Sequence, residues 1–447
     1  MATCELPHKF NSWLDLEKHS PMEYMEDHPE FYYFVEVDIK ALHPKYHERA
    51  AMYPMFPETQ TIYADEYSED QRYRYKLNTE SGLKDQTINT VSFYEKKGYV
   101  TSWSYLKHAI GMGYKVERIT KVAVFDKSFA LRDYIMKMYQ EKLDLTVLRD
   151  SLDKEDPELP GVLAKLAIAK LILNAIYGFS LVNVENHSEA QLLDIKDSDK
   201  IQKQASSLRF KSMIKVGDRV VMNRMKTTYS FDYPMHIGSA ILFESKLLMA
   251  RYIQGLQDWL PKVSPDLEIH PCFTDTDSYC MSIKNFKDHF ESIDEFTHRF
   301  NNEVYPLFDT TGNIPKYQMP ETHTKLGFMT NETDNKEITK WVGIASKAYS
   351  YESDHGGHTT GKGISRDLQA QCLNFDLYES IVDGSILEGY TKDRYSVSFN
   401  DFKTQRFNVA TVGVKKCFTT LVDLKSYCPE NSDKCYIFGS KEHLKYL

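Results

Sequence analysis

The chain has 447 residues, of which 42% are hydrophobic and 30 are tyrosines, so it holds enough apolar material for more than one packed core. No low-complexity tract indicates disorder, no apolar run is expected to reach the length of a membrane span, and no membrane partner is predicted. The seven cysteines are scattered, with no C-x-x-C pair and no secretory leader, which favours a reducing intracellular compartment. The net charge of −9 does not exclude nucleic acid, because a local basic groove is sufficient to bind phosphates.

The first predicted element is a strand that ends on an acidic residue. Residues 1–30 are polar and poorly periodic, and they are predicted to be a lead-in segment. β-Branched and aromatic residues then fill Phe31–Val37, directly before Asp38. The following loop ends in Pro44, so Asp38 is expected at the rim of a sheet, either as a functional carboxylate or as a simple strand-end cap.

Residues 46–91 are irregular and are predicted to be an inserted module. A short helix that ends near Gly111 and a strand over Val116–Phe125 are expected next. Two helices follow, Ser128–Leu148, which carries the outward-facing Lys142, and Gly161–Ile176. A charged, proline-bearing break at 150–160 separates them.

The second of these helices carries a polar stripe. Lys170, Asn174 and Tyr177 are spaced by four and three residues, which places them on one helix face. A lysine, an amide and a phenol together suit an anionic, planar ligand such as a nucleoside triphosphate. The alternative is structural, with the lysine extended along the surface and the other two residues ending the helix before Gly178.

Two aspartates one residue apart form the clearest candidate metal site. Asp275 and Asp277 lie between two short predicted strands, 267–273 and 279–283, at the tip of a tight hairpin. Two like charges this close stay ionised together most easily beside a cation, and oxygen ligands suit Mg²⁺ or Mn²⁺. The alternative is a solvated turn rich in aspartate and threonine.

Three further segments complete the pattern. Residues 179–229 are charged, with weak apolar periodicity. A strand over Trp341–Tyr351 is predicted to place Lys347 and Tyr349 on one face, and the structural alternative is an exposed pair on an edge strand. The glycine-rich segment 355–363 is predicted to be a hairpin rather than a metal or phosphate loop, since no helix follows it.

Three of these segments resemble, in chain order, the polymerase motifs of family B DNA polymerases. They are Asp38-Ile39-Lys40-Ala41-Leu42-His43-Pro44, Lys170-Leu171-Ile172-Leu173-Asn174-Ala175-Ile176-Tyr177-Gly178 and Asp275-Thr276-Asp277-Ser278. The segments Pro234–Lys246 and Ile344–Tyr349 are similar to sequences of the protein-primed, viral and Polinton-like branch. The resemblance covers about Phe31–Ile364, with a weaker thumb-like similarity at Ser432–Tyr436.

The resemblance implies an α+β fold with a right-hand architecture: an antiparallel palm sheet that carries Asp38 and Asp277, helical fingers and a C-terminal thumb. The implied segments are 1–50, lead-in and first part of the palm; 51–125, first insertion; 126–180, fingers; 181–230, second insertion; 231–350, palm; and 351–447, thumb.

The resemblance also implies a function, a template-directed DNA polymerase that adds dNTPs to a primer 3′-hydroxyl or a protein-primer hydroxyl during replication of viral or mobile-element DNA. Two Mg²⁺ ions, or Mn²⁺, about 3.5 to 4 Å apart are expected on the carboxylates. The implied partners are a DNA primer-template, dNTPs, a terminal protein primer and a separate exonuclease-bearing chain. An intracellular location is expected, in the host nucleus or cytoplasm if the protein is viral. The implied site residues are Asp38, Asp275 and Asp277 (catalytic and metal-binding), Lys142, Lys170, Asn174, Tyr177, His43 and Leu42 (nucleotide), and Lys347 and Tyr349 (primer).

The departures from the family pattern leave two alternatives open. His43 stands where the family has the tyrosine that excludes ribonucleotides, and only 37 residues precede Asp38, so no proofreading domain is expected from this chain. These departures are also compatible with a catalytically inactive DNA-binding or replication protein derived from a polymerase. A metal-dependent nuclease is the third hypothesis, although a nuclease has no need of the Lys170 stripe.

Overall fold

The structure is a computed structural model that describes residues 2–64, 85–90, 92–323, 325–333, 336–354, 356–383, 395–405, 408–418, 426–427 and 436–437. Helices and antiparallel sheets occur together along the chain, so the predicted α+β class is confirmed. The thumb-like similarity before Tyr436 falls on residues outside the described ones, as does His355 of the glycine-rich segment.

The strands and helices follow one another from the N-terminus. The strands are β1 (Leu6–Trp13), β2 (Phe31–Ile39), β3 (Glu58–Ile62), β4 (Gln86–Thr90), β5 (Lys96–Ser102), β6 (Val116–Ser128), β7 (Ser188–Asp194), β8 (Phe210–Val216), β9 (Arg219–Met225), β10 (Ile269–Asp275), β11 (Ser278–Ile283), β12 (Ile338–Ala345), β13 (Ala348–Ser353), β14 (Gly356–Gly361), β15 (Tyr395–Gln405), β16 (Asn408–Phe418), β17 (Ser426–Tyr427) and β18 (Tyr436–Ile437). The helices are α1 (Pro21–Asp27), α2 (His47–Ala51), α3 (Trp103–Gly111), α4 (Arg132–Ser151), α5 (Leu159–Ser180), α6 (Ser198–Ala205), α7 (Met235–Val263), α8 (Phe286–His289), α9 (Ile293–Glu303), α10 (Arg366–Cys372) and α11 (Phe375–Asp383).

A four-stranded sheet in the order β1-β6-β2-β5 carries the first candidate aspartate. Alternate side chains of β2 from Tyr33 to Ile39 are buried in one core, together with Leu106 of α3. Glu36 and Asp38 belong to the opposite face of β2, because successive side chains of a strand point to opposite faces. The predicted strand is confirmed, and it extends one residue beyond Asp38.

Strand β5 contains a bulge beside Asp38. The pairing register between β2 and β5 shifts between Val37 and Ile39, which leaves Lys97 and Gly98 opposite Asp38. Gly98 has a φ of +61°, a left-handed conformation that glycine adopts without steric cost. The bulge therefore depends on the glycine and points its backbone amide at the carboxylate of β2.

Two segments are more regular than the sequence predicts. The lead-in segment contains β1 and α1, and six of the eight residues of β1 are exposed at the edge of the sheet, so β1 lacks the alternation of a half-buried strand. The irregular stretch after Tyr46 contains the paired strands β3 and β4. Threonine and amide side chains dominate both strands, so no periodic pattern of apolar residues marks them in the sequence. The residues that follow this stretch supply both strands that flank β2, namely β5 and β6.

The hairpin β10–β11 is a separate two-stranded sheet. The expectation that a single sheet carries both Asp38 and Asp277 is therefore wrong. The reason is packing: Ile269 of β10 and Met281 of β11 are apolar side chains of a second core, together with α7 and α9. The hairpin is held by helices rather than by hydrogen bonds to the edge of the Asp38 sheet.

The single strand predicted over Trp341–Tyr351 is also wrong, because the chain turns within it. Strand β12 ends at Ala345 and β13 begins at Ala348, so Lys347 lies in the connecting turn while Tyr349 lies in β13. Lys347 has a φ of +58°, and a lysine in this conformation gives no turn signal in the sequence. The predicted glycine hairpin is confirmed from Gly356, since β14 pairs with β13.

The two central helices are confirmed with shifted ends. Helix α4 begins at Arg132 because Ser128 still belongs to β6, and α5 extends to Ser180. Within the described residues, one helix, α5, has the length and composition of a membrane span, with a mean hydropathy of 1.7 and 17% of that window buried. The expectation that no apolar run reaches that length is therefore wrong, although length and composition alone do not assign a membrane.

The chain divides into two units. One unit comprises Met1–Lys9, Asp126–Leu242 and Asn400–Val414, and it contains α4, α5 and a three-stranded sheet in the order β7-β9-β8 within the predicted second insertion. The other unit comprises Phe10–Phe125, Phe243–Phe399 and Lys415–Leu447, and it contains all three candidate aspartates. The six segments implied by the resemblance stay predictions.

We predict that Gly98→Ala lowers the free energy of unfolding by about 1 to 2 kcal/mol, because alanine must adopt the left-handed conformation of the bulge. The control is Gly111→Ala at the end of α3, where an added Cβ has the same open surroundings but no left-handed φ is required. Urea unfolding of both variants checks this, and equal stabilities would contradict the role of the bulge.

Candidate active site

Asp38 is a buried carboxylate with both oxygens engaged. Its side chain is 5% exposed. The Gly98 amide donates to Oδ1 at 2.7 Å, and Arg118 Nε donates to Oδ2 at 2.8 Å. The Gly98 hydrogen bond, assisted by Arg118, holds the pKa of Asp38 below its ordinary value although burial acts in the opposite direction. Asp38 is therefore a charged group with a fixed orientation.

The same sheet face carries alternating charges around Asp38. Glu36 accepts hydrogen bonds from Thr120 and Lys121, and these lower the pKa of Glu36. Lys97, in the bulge, pairs with Glu117 of β6. The face around Asp38 is thus polar, with cations and anions in contact, while the other face of β2 is buried.

Asp275 is the last residue of β10, and Thr276 and Asp277 form the two-residue turn that leads into β11. Asp275 pairs with Ser278 in the register, and Thr276 in the turn has a φ of +60°. The backbone amide of Asp277 donates to the Asp275 carbonyl at 2.7 Å. Within the described part of the chain, the exposed Asp277 carboxylate has no hydrogen-bond or ion-pair partner, so it is free to accept a ligand.

Two contacts join this hairpin to the β12–β13 hairpin. Lys347 Nζ lies 2.8 Å from Asp275 Oδ2, and the rings of Phe273 and Tyr349 stack with centroids 4.0 Å apart and an interplanar angle of 19°. The hydrogen bond from Lys347 lowers the pKa of Asp275. The structure therefore brings together the predicted primer-binding pair and the predicted metal-binding turn.

The hairpin also contacts the segment that follows Asp38 in the chain. The Tyr279 hydroxyl donates to the Met52 carbonyl at 3.4 Å, and Met52 and Tyr53 pack against the core that holds the hairpin. From α7, Gln257 donates to the Arg49 carbonyl, and Asp258 pairs with the Arg49 guanidinium at 2.7 Å. The first and third motifs are thus connected through the residues of α2 and the loop after it.

His43 is exposed and caps a short 3₁₀ turn, Pro44–Tyr46. Its Nδ1 accepts a hydrogen bond from the Lys45 amide at 3.3 Å. The neutral ring therefore carries its proton on Nε2, which is not used by the cap. Leu42 is 1% exposed in the core of the sheet, so its side chain is not presented to a nucleotide.

The remaining predicted nucleotide-binding residues lie in the other unit. Lys170 and Asn174 are exposed on α5, and Tyr177 is half-buried, which raises its pKa. Lys142 lies on α4 with its ammonium 5.6 Å from the centre of the Tyr139 ring. Helices α4 and α5 pack against each other, as expected for a pair joined by a short break.

The three candidate aspartates are suitable ligands for a hard divalent cation, but their carboxylates do not form one group in the structure. Asp38, Asp275 and Asp277 supply only carboxylate oxygens, which Mg²⁺ and Mn²⁺ prefer. Among the described residues, no group of three or more His, Cys, Asp or Glu side chains lies close enough to hold a metal ion together. The aspartates therefore fit a divalent cation by the chemistry of their oxygen atoms and not by their arrangement. Asp38 and Asp275 each pair with a cationic side chain, Arg118 and Lys347 respectively.

Sequence reasoning missed three residues of this site. Arg118 and Gly98 are 80 and 60 residues away from Asp38 in the chain, and Phe273 was assigned no role beyond its strand. The Lys-Lys-Gly sequence at 96–98 was the available signal for the bulge, because glycine inside a strand marks such sites. No local pattern identifies Arg118.

Comparison with known proteins adds no assignment. No protein-family profile, no curated protein and no solved structure matches this chain.

We predict that Lys347→Met lowers the free energy of unfolding by about 0.2 to 1 kcal/mol at pH 7, since the pair with Asp275 is largely exposed. The pKa of Asp275 is lowered in the folded protein, so the stabilisation is complete above the ordinary value of about 4 and is lost as the pH falls through the folded value. Urea unfolding at pH 7, 5 and 3.5 measures this, with Asp275→Asn as the background in which Lys347→Met has no pH-dependent effect. A difference that is the same at every pH would contradict the ion pair.

Proposed function

We propose that this chain is a template-directed DNA polymerase core that adds dNTPs to a primer 3′-hydroxyl, or to a protein-primer hydroxyl, with the right-hand architecture of family B polymerases. The observation that carries the proposal is the contact between the Asp275 turn and the Lys347 turn, together with the buried, oriented Asp38 in the same unit. Three ordered sequence motifs support it, since each supplies a residue type that nucleotidyl transfer requires.

Asp38 and Asp277 are the proposed metal ligands, with Asp275 beside them. These carboxylates would hold Mg²⁺ or Mn²⁺, which would supply activation of the attacking hydroxyl and stabilisation of the charge on the leaving pyrophosphate. The Gly98 amide orients Asp38 from the bulge, while Arg118, which is 71% exposed, has room to move from Oδ2. Asp277 has no partner among the described residues that a metal ion would have to displace.

Lys347 and Tyr349 are proposed to follow the primer end. The stack of Tyr349 on Phe273 fixes the turn that holds Lys347, so the ammonium stays beside the acidic turn rather than moving freely. An ammonium at this position attracts the phosphodiester backbone of a primer. Lys142 and Lys170 are proposed to bind the triphosphate, and Asn174 and Tyr177 to contact the sugar and base.

A catalytically inactive, polymerase-derived DNA-binding or replication protein is the second candidate. It is favoured by the ion pairs at Asp38 and Asp275, and by the absence of a gathered group of three metal ligands among the described residues. The two candidates differ in their dependence on Asp277, because an inactive DNA-binding protein gains nothing from an unpaired carboxylate beside a phosphate backbone.

We predict that Asp38→Asn and Asp277→Asn each lower the rate of primer extension with Mg²⁺ and dNTPs by more than about 100-fold while primer-template binding is retained, since a direct metal ligand matters more than the residues that support one. Extension on a labelled primer-template and binding by fluorescence anisotropy measure the two effects. Asp288→Asn, an exposed aspartate of α8 in the same unit, is the matched control.

The outcomes separate the three hypotheses. No extension by the wild-type protein with intact DNA binding supports the inactive candidate. Degradation of the same DNA without extension supports a nuclease. Extension by Asp277→Asn at the wild-type rate would overturn the metal assignment.

His43 stands where related enzymes exclude a ribose 2′-hydroxyl, and its geometry adds a physical reason for weaker exclusion. The Lys45 amide occupies Nδ1, so the free Nε2–H can donate to a 2′-hydroxyl, and the imidazole is smaller than a tyrosine ring. Leu42 is buried and does not replace the missing ring. We therefore propose that this chain discriminates weakly against ribonucleotides.

We predict that His43→Tyr and His43→Phe both sharpen the preference for dNTP over rNTP, by about 2- to 10-fold, which is the value of one hydrogen bond. The ratio of kcat/KM for the two sugars on one template measures this. The His43→Phe variant removes the Nε2–H donor without adding a hydroxyl group, so it tests the role of that hydrogen bond alone. Unchanged ratios in both variants would show that another group excludes the 2′-hydroxyl.

A further inference from the structure

Two cysteines face each other across the hairpin that carries the acidic turn. The register between β10 and β11 shifts between Pro271 and Phe273, so Cys272 is the extra residue of a bulge, and Phe273 pairs with Cys280. In such a bulge two residues of one strand oppose a single residue of the other. Cys272 and Cys280 are free thiols, and both are half-buried.

The two thiols are chemically unequal. The interaction between the two thiols lowers the pKa of Cys272 and raises that of Cys280, while burial acts to raise both. A thiol with more thiolate character reacts faster with oxidants when solvent reaches it. Cys272 therefore has the properties of an attacking thiol and Cys280 those of a resolving thiol.

We propose that Cys272 and Cys280 are an oxidative modification site that forms a reversible disulfide, with a peroxide as the oxidant. The Cys272 thiolate attacks one peroxide oxygen and becomes a sulfenic acid, and the other oxygen leaves as water after protonation. The Cys280 sulfur then attacks the sulfenic sulfur, the new S–S bond forms, and a second water leaves. Two thiols lose two electrons, and one hydrogen peroxide accepts them.

The backbone geometry suits this bond. The register pairs Cys280 with Phe273, and the bulge places the adjacent Cys272 opposite the same residue of β11. Disulfides need Cα atoms about 4.4 to 6.8 Å apart, and directly opposite residues of a regular antiparallel pair lie about 4.5 to 5.5 Å apart. A reducing compartment is compatible with a transient disulfide of this kind, because disulfides that occur there act as redox sensors.

The bond would form three residues before Asp275 and three residues after Asp277. The bond also joins Cys280 to Cys272, which is next to Phe273 in the chain, and the ring of Phe273 stacks on Tyr349. Oxidation thus acts on the hairpin that carries both aspartates. The disulfide itself does not depend on the proposed polymerase activity, so it can be tested separately.

The experiment exposes the reduced full-length chain to graded hydrogen peroxide and maps the cysteines by peptide mass spectrometry without reduction. We expect peptides that contain Cys272 and Cys280 to be linked, with the loss of two hydrogens, before other cysteines are modified, and to be restored by dithiothreitol. Cys280→Ser should leave Cys272 as a sulfenic acid that dimedone traps. Cys372→Ser, a free cysteine on α10, should behave as the wild type.

The proposal is overturned if both cysteines stay reduced, if each is oxidised without linkage, or if Cys272 links to another cysteine. The same peroxide treatment in urea tests whether the folded structure causes the linkage. The preference for the Cys272–Cys280 pair should disappear when the chain is unfolded. A Cys280→Ser variant that fails to fold leaves the wild-type linkage map as the deciding measurement.

Discussion

The structure around Asp38 depends on keeping one carboxylate charged where it is almost completely buried. A buried charge requires fixed donors, and here the donors are the Gly98 amide and the Arg118 guanidinium. The amide reaches Asp38 only because β5 has a bulge with a left-handed residue, and Arg118 reaches it only because β6 pairs beside β2. The strand order of the sheet and the bulge in β5 are thus both needed to place donors beside the Asp38 carboxylate.

The acidic turn of the β10–β11 hairpin follows a different principle. Its aspartates are exposed at the end of a hairpin that is anchored by apolar side chains of a separate core, and its position relative to Lys347 is fixed by an aromatic stack rather than by burial. Stacked rings are worth about 0.5 to 1.5 kcal/mol beyond their buried area, more than an exposed ion pair. The ring pair is therefore the stronger of the two contacts between the hairpins.

Local patterns predicted the elements that carry the site better than the contacts within it. The strand before Asp38 and the hairpin around Asp275 are confirmed because alternation and turn chemistry act over a few residues. The partner Arg118 was not predictable, since strand order joins residues 80 positions apart. The turn at Lys347 was missed because a lysine in a left-handed conformation is uncommon, and β1 was missed because an exposed edge strand has no apolar period.

The ion pair at Asp275 does not by itself make the site inactive. Lys347 and Asp275 are 56% and 41% exposed, so water and salt screen their attraction, and breaking the pair costs about 0.2 to 1 kcal/mol, or less than about tenfold in affinity for a competing cation. Divalent cations bind carboxylates in proteins with a charge twice that of lysine. The choice between the proposed polymerase activity and the proposed inactive DNA-binding role therefore depends on whether the Asp38 and Asp277 carboxylates approach each other when DNA, dNTP and metal bind. It does not depend on the cations that lie beside Asp38 and Asp275.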